Sequence, residues 1–454
     1  GRDGGGVGPG WGRPVRWSVG RSPTAGPVDR RPHDRSSPLS PTADDVAALP
    51  GDTALRNAAA ERARAAGLPS PDVEEWRYSR IDELDLDRYA PVLAAPDGAA
   101  SAASAPTAGD PEDEWAAVVT VVDGWVASID VRDPAVTVTT DGAGAGSVLG
   151  DAPDALVDWA IALAPAAVTV SVDRGVTVAA PVLVRTIATV ARGLSAPRLA
   201  VSVGEDAELT VVEQQSATVD DALVLPVVEL DVATRGRLAH TAIQRLPVGM
   251  WQIGSVTARV GQESRLVSAH AALGGEYARL RTDCRLEGRG ASGDLLAAYF
   301  GEGDQTLDFR TFQDHVAPDT HSDLLFKGAV GGRSRSIYTG LITVRPTARG
   351  TNAYQTNRNL KLSDEAWAES VPNLEIQNND VRCSHASTVG PIDVDQRFYL
   401  ESRGVPPQVA ERLVVSGFFA EVLARFPAPA PVLAEVADAI ADRLDRQVGA
   451  GVAS

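Results

Sequence analysis

The chain has 454 residues, 44% apolar and 22% charged, so it is no wholly disordered chain and has room for about three average domains. Two cysteines, Cys284 and Cys383, rule out a disulfide framework and a four-cysteine zinc or cluster site within one chain, and no apolar run approaches the ~18 residues of a membrane-spanning helix. The formal net charge is −18, divided as +4 over residues 1–40 (seven Arg, three Asp) and −22 over the rest, and a body this acidic repels phosphate backbones, which argues against nucleic acid as a partner.

Residues 1–40 hold nine Gly and six Pro and read as a disordered Gly/Pro/Arg-rich extension. That content opposes the amphipathic helix of a transit peptide, and no apolar signal core is present, so the expected compartment is the cytoplasm. The chain starts at Gly1 and its one methionine is Met250, so the start reads as a fragment or a displaced translation start. Val46, Leu49, Leu55, Ala58 and Ala59 make an apolar stripe over 44–66, split at Pro50-Gly51 and ended by Gly67. Asp72-Val-Glu-Glu-Trp-Arg-Tyr78 reads as an acid-led helix start. The expected N-terminal helical domain is 41–92, followed by an Ala/Ser/Pro/Gly linker over 93–114.

From Trp115 the texture changes. Val118–Val122 is a β-branched run, Asp123-Gly124 a hairpin turn, and one helix is expected near 153–163. From Val168 to Ile376 short β-rich runs alternate with turns. Turns opened by Gly204, Gly236, Gly261, Gly288 and Gly331 each supply polar residues and then an apolar residue that starts the next strand. The intervals of 32, 25, 27 and 43 residues are too uneven for a strict repeat, but they suit stacked coils of a parallel solenoid. An antiparallel sandwich or barrel is the competing architecture, and about 200 residues of strand without a long helix favour the β-helix, with a core at 115–392.

The C-terminal region 393–447 is helical again. Asp393 with Gln396 resembles a capping box, and the first helix runs Val394–Arg403 to a stop at Gly404. Val409, Leu413 and Phe418 are apolar positions of a second helix. In the third, Leu433, Val436, Ile440 and Leu444 form a stripe opposite Asp438, Asp442 and Asp445, to be covered by the second helix or by a partner.

Several chemical signatures are missing, among them a phosphate-binding loop, a His-Glu-x-x-His helix and a Gly-x-Ser-x-Gly elbow. Gly288-Arg-Gly-Ala-Ser-Gly293 lacks a strand–helix setting and reads as a solenoid turn rather than a dinucleotide fingerprint. His315 and His321 flank a Pro318 turn and read as hydrogen-bonded turn histidines rather than metal ligands. His240 and His270 read as ordinary strand histidines. In Val381-Arg-Cys383-Ser-His385 an extended strand projects Cys383 and His385 to one face while Arg382 and Ser384 face away. Thiol beside imidazole suits zinc or iron, yet the pair supplies two ligands where a closed site needs four. The remaining ligands would come from another chain; the alternative is a buried cysteine beside a surface histidine.

Tyr354-Gln-Thr-Asn-Arg-Asn-Leu-Lys-Leu-Ser363, Val371-Pro-Asn-Leu-Glu-Ile376, Asp380-Val-Arg-Cys-Ser-His-Ala-Ser-Thr-Val-Gly390 and Phe398-Tyr-Leu-Glu-Ser-Arg-Gly404 resemble the SufD branch of the SufB/SufD family of the SUF iron–sulfur cluster assembly system. Glu74-Glu-Trp-Arg-Tyr78 is similar to that family's N-terminal helical motif, and His315–Gly328 to its central core. The resemblance spans about 44–446 and is most specific over Leu307–Gly404. It implies a right-handed parallel β-helix flanked by N- and C-terminal α-helical domains, pairing with the paralogue SufB, and attachment of the ATPase SufC through the C-terminal helices. It also implies transient iron–sulfur clusters at the SufB–SufD interface, on a SufB cysteine and a SufD histidine, the latter matching His385 with Cys383 as its neighbour. SufB typically has a cysteine in the stretch where this chain has Thr356-Asn-Arg-Asn359, and acidic residues about a histidine where this chain has Cys-Ser-His; both differences favour SufD. A flavin is sometimes linked to the system, and no flavin fingerprint is visible.

The expected function is therefore a non-catalytic scaffold holding half of a ligand pair, Cys383 and His385. Two rivals stay open. A carbohydrate-active β-helix enzyme needs carboxylates such as Asp304, Asp308 and Asp314 to converge, and a plain interaction scaffold gives Cys383 and His385 no metal role.

Overall fold

A computed structural model describes residues 43–97, 114–142 and 145–450. The expected 1–40 extension and most of the 93–114 linker lie outside them. The architecture is a parallel β-solenoid with helices at both ends. Its coils wind between two sheets. The first runs from the strand Val136–Thr139 to Trp367–Ile376, and the second from Trp125–Val131 to Arg382–Gly390. In the second sheet Arg237 pairs with Arg265, Arg265 with Ser292, Ser292 with His321, His321 with Asn352 and Asn352 with Arg382, all in parallel.

This unbroken register stacks residues into columns. Leu295, Leu324 and Gln355 occupy one inward column, and Leu307, Phe309 and Tyr338 lie on inward columns of the first sheet. The expected glycine turns are present, for a reason of close approach. A Cβ on Gly288 would sit 2.0 Å from the Gln262 nitrogen of the coil beneath, so only glycine lets those coils touch. The Asp123-Gly124 hairpin also forms, joining Ala117–Val122 to Trp125–Val131 with both turn residues at positive φ.

Helices cover the outer faces. Ala43–Ala48 and Thr53–Ala66 form on either side of Pro50-Gly51, and Asp52 caps the second by accepting from the Ala54 and Leu55 amides. Ala155–Leu163, capped by Asp154, packs with Thr53–Ala66 in one apolar cluster over Val227, Trp251 and Tyr277 of the first sheet. The helix expected from Asp72 is not one. Only a 3-10 turn forms over Glu74–Trp76, and Tyr78 takes a positive φ of 66°. Long-range contacts override the local propensity: Arg279 donates to the Glu75 carbonyl and lies 3.8 Å over the Trp76 ring, while Arg310 donates to the Arg77 carbonyl.

At the other end come Val394–Ser402, Pro407–Leu423 and Ala430–Ala450. Asp393 caps the first through the Asp395 and Gln396 amides, and Gly404 follows at φ 87°. The stripe Val436, Ile440 and Leu444 is buried in a cluster shared with Val415 and Phe419 of the preceding helix and Phe300 of the sheet. It is covered by its own chain. Lys327 fixes this layer: its buried ammonium donates to the Phe418 carbonyl at 2.9 Å and pairs with Glu421. Among the described residues no helix is long and apolar enough to cross a membrane.

Candidate metal centre at the open end of the solenoid

The strand Arg382–Gly390 pairs along one edge only, with Asn352–Lys361, setting Cys383 against Ala353 and His385 against Gln355. Ala353, Gln355, Asn357 and Asn359 are all buried inward residues. Cys383, His385, Ser387 and Val389 therefore continue the interior columns, and among the described residues no strand stacks on them. Opposite them, Trp367–Ile376 ends the first sheet and brings Ser370, Pro372 and Leu374 over Tyr338, Gly340 and Ile342. The solenoid interior is open at this end.

Within it the two expected ligands differ. Cys383 is half-buried and packs with Leu374 and Val381 on Ile342, Val344, Ala348 and Ala353. Burial raises its thiol pKa, with partial relief from the Ala353 backbone. His385 is exposed. The two Cα atoms are ~7 Å apart along the strand and their side chains share a face, so one ion or cluster can reach both.

Polar groups form the floor. The Gln355 Nε2 donates to the Tyr338 hydroxyl at 2.5 Å, and that hydroxyl meets Thr311 Oγ1 at 3.0 Å. Beside them Asn357 donates to the Tyr299 hydroxyl, which donates to Asn359 Oδ1. Burial raises the pKa of both tyrosines, so they are neutral donors at ordinary pH. The alternation of Gln355, Asn357 and Asn359 marks one polar strand face in the sequence, and nothing there says that face is inside.

The other candidates separate from this site. Among the described residues no group of three or more His, Cys, Asp or Glu side chains could hold a metal ion. Cys284 is fully buried on the column that continues through Gln313 and Ile342 to Leu374, so it lies three coils, ~14 Å, beneath the end. Burial first, then Asp283 and Asp294, push its thiol up to about 12, which makes it an inert core residue. His315 is a turn histidine, with Thr320 and Ser322 hydroxyls 2.8 and 2.9 Å from its ring nitrogens. His240 meets Glu213 at 2.9 Å and Ser268 at 3.2 Å, and His270 is half-buried near the Phe309 ring. Gly288–Gly293 is a turn leading into the strand Ser292–Gly301.

The carboxylates a sugar-processing enzyme would need do not gather. Asp308 and Asp314 lie six residues apart on one strand, about 20 Å, well beyond the ~5–9.5 Å of a catalytic pair. Each is paired with arginine instead: Asp304 with Arg333, Asp308 with Arg279 and Arg310, and Asp314 with Arg345.

One surface was only partly visible in the sequence. Val394, Phe398 and Tyr399 on the first C-terminal helix and Val409 and Leu413 on the second are exposed, Phe398 at 68%. Val394 and Phe398 line a cleft between Lys361-Leu362 of the last coils and Arg397 and Glu401 of the helix.

A family model described as "SUF system FeS cluster assembly, SufBD core domain" matches residues 186–418, just over half of the chain. An iron–sulfur cluster assembly SufBD family protein of Mycobacterium tuberculosis is 41% identical over 180 residues, 38% of this chain and 45% of the relative. The iron–sulfur cluster assembly protein SufD of Escherichia coli is 27% identical over 372 residues, 78% of this chain and 85% of the relative. SufD of Bacillus subtilis is 31% identical over 229 residues, 50% and 52% of the two chains. The chain spans about half the length of the first curated relatives it matches. With the matched core running through the coils that carry the polar floor and the Cys383–His385 strand, this chain belongs to the SufBD family of the SUF iron–sulfur cluster assembly system.

Proposed function

We propose that this chain is a SufD-type scaffold subunit that pairs with a SufB-type paralogue through its last coil and carries Cys383 and His385 as its half of the ligand set for a nascent iron–sulfur cluster. The cluster is cargo, and the chain contributes position: a thiol and an imidazole held on one face at an open sheet edge. The observation that carries this reading is incompleteness. Two candidate ligand side chains end neighbouring columns with no third within reach among the described residues, on a strand whose outer edge is unpaired.

The C-terminal helices, 393–447, dock a SufC-type ATPase in this reading. The exposed apolar residues Val394, Phe398, Tyr399, Val409 and Leu413 support that assignment, since such patches mark association surfaces. The N-terminal helical domain 41–92 and the helix Ala155–Leu163 form a bracing layer on the first sheet. The chain itself performs no catalytic step.

The test is reconstitution with the paralogue and the ATPase. His385→Ala should leave the complex intact by size-exclusion chromatography and lower cluster formation at least about tenfold, read from visible absorbance. Unchanged cluster yield favours the plain scaffold. A stoichiometric cluster retained by the isolated chain would sink the proposal.

A further inference from the structure

Gln355 is 1% exposed and lies one strand beneath His385, in register with it. Its Nε2 is committed to the Tyr338 hydroxyl, which Thr311 in turn holds. Its Oε1 is buried and accepts no hydrogen bond from the described residues. A buried carbonyl oxygen without a donor costs about 1–3 kcal/mol, so such an atom calls for an explanation. The niche around it is kept open by glycine: a Cβ on Gly340 would stand 1.8 Å from Gln355 Nε2 and 2.2 Å from the Tyr338 hydroxyl oxygen. Two side chains, Tyr338 and Thr311, and a glycine are thus arranged to hold one amide with its oxygen undonated, on the residue one strand beneath His385 in register.

A histidine that ligates a metal through one ring nitrogen presents an N–H at the other, and an acceptor there fixes both tautomer and ring orientation. We propose that Gln355 is the positioning residue for His385: its Oε1 accepts the imidazole N–H when the ring settles onto the strand below, leaving the other ring nitrogen unprotonated and turned to the shared site. This rests on the assignment of His385 as a ligand but makes its own claim, about the tautomer of a side chain in the free protein. The competing donor is Ser370, whose buried hydroxyl also lacks a partner among the described residues and whose position stacks over Tyr338.

The experiment uses the full chain with 15N-labelled histidine, at a pH where imidazole is neutral. Nitrogen shifts should show His385 predominantly in one tautomer, and Gln355→Met should return it to the mixture of a free imidazole, with circular dichroism unchanged. Ser370→Ala should leave the tautomer as it is. In the reconstituted complex, Gln355→Met should slow cluster formation about tenfold, and Gln355→Glu, which keeps an acceptor, should restore most of it. A His385 tautomer ratio that Gln355→Met does not move, or that Ser370→Ala moves equally, overturns the proposal. If the tautomer responds but His385→Ala leaves cluster yield intact, the positioning stands and the scaffold reading fails.

Discussion

His315 is fully buried and His270 half-buried on inward-facing strands of the solenoid, where little solvent reaches to stabilise a charge. Burial holds the His270 pKa down to about 3, helped by the nearby His240, and brings His315 down to about 4 against a smaller upward pull from Asp314. In the unfolded chain both return to about 6.5. Between pH 6.5 and 4 the unfolded state therefore binds more protons than the folded one, and stability falls as pH falls through that window. At about 1.4 kcal/mol per pH unit of separation, each histidine contributes roughly 3 kcal/mol or more to the loss. Urea unfolding should show a midpoint that drops steadily from pH 6.5 to 4, and His270→Leu, which removes one such proton, should flatten the drop. Equal slopes for the two proteins would refute this origin. At the same scale, the period-two pairing of Cys383 with His385 is legible in the sequence, because alternation along a strand is a local rule. That Gln355 lies beneath them with an undonated oxygen was not, because it depends on which residue the next coil brings into register.

The coil is the unit of this fold, and its turns carry the strongest sequence signal. The glycines at 204, 236, 261 and 288 mark real turns, yet the left-handed residues at the first three are Asp206, Arg235 and Glu263. At Gly288 the requirement is steric, set by the coil beneath, and the distance of 2.0 Å to Gln262 leaves no room for a methyl group. Gly288→Ala should accordingly cost about 2 kcal/mol through forced separation of coils. Gly417→Ala, in the open interior of helix Pro407–Leu423 with nothing within 4 Å, should gain about 0.5–1 kcal/mol from helix propensity. Thermal or urea denaturation of both variants checks the opposite signs. Where propensity and tertiary contact disagree, contact decides. The acidic run from Asp72 reads as a helix start and is held instead as a strap by Arg279 and Arg310, more than 200 residues away in sequence. The apolar stripe of helix Ala430–Ala450 was legible as a stripe, but which surface covers it followed only from the fold, which packs it on Val415, Phe419 and Phe300.

The two ends of the solenoid are built differently. At the N-terminal end each sheet finishes on an antiparallel strand, the four-residue Val136–Thr139 and the strand Trp125–Val131 across a register shift at Thr120/Val121. Short strands and bulges discourage edge-to-edge association. At the C-terminal end both sheets finish on straight parallel strands of nine and ten residues. The Trp367 amide donates inward to Ser334, so by alternation the nitrogen of Pro372 falls on the free edge, and that strand lacks one donor for a partner. The other strand has no proline. The Arg382 amide donates inward to Thr351, which turns the amides of Cys383, His385, Ser387 and Val389 outward in an unbroken row. The edge best fitted to accept another chain is thus the one that carries the two proposed ligand residues, and sheet extension across it would bring a partner's side chains onto the same columns. Proline tests this without touching either proposed ligand. Ser387→Pro removes an outward donor and leaves the inward ladder whole, so the isolated chain should keep its melting temperature within a few degrees while pairing with the paralogue weakens at least about tenfold by titration calorimetry. Ala386→Pro removes an inward donor and should instead loosen the last coil, seen as faster amide exchange over 382–390. Undiminished pairing by the Ser387→Pro chain would show that the partner does not extend this sheet.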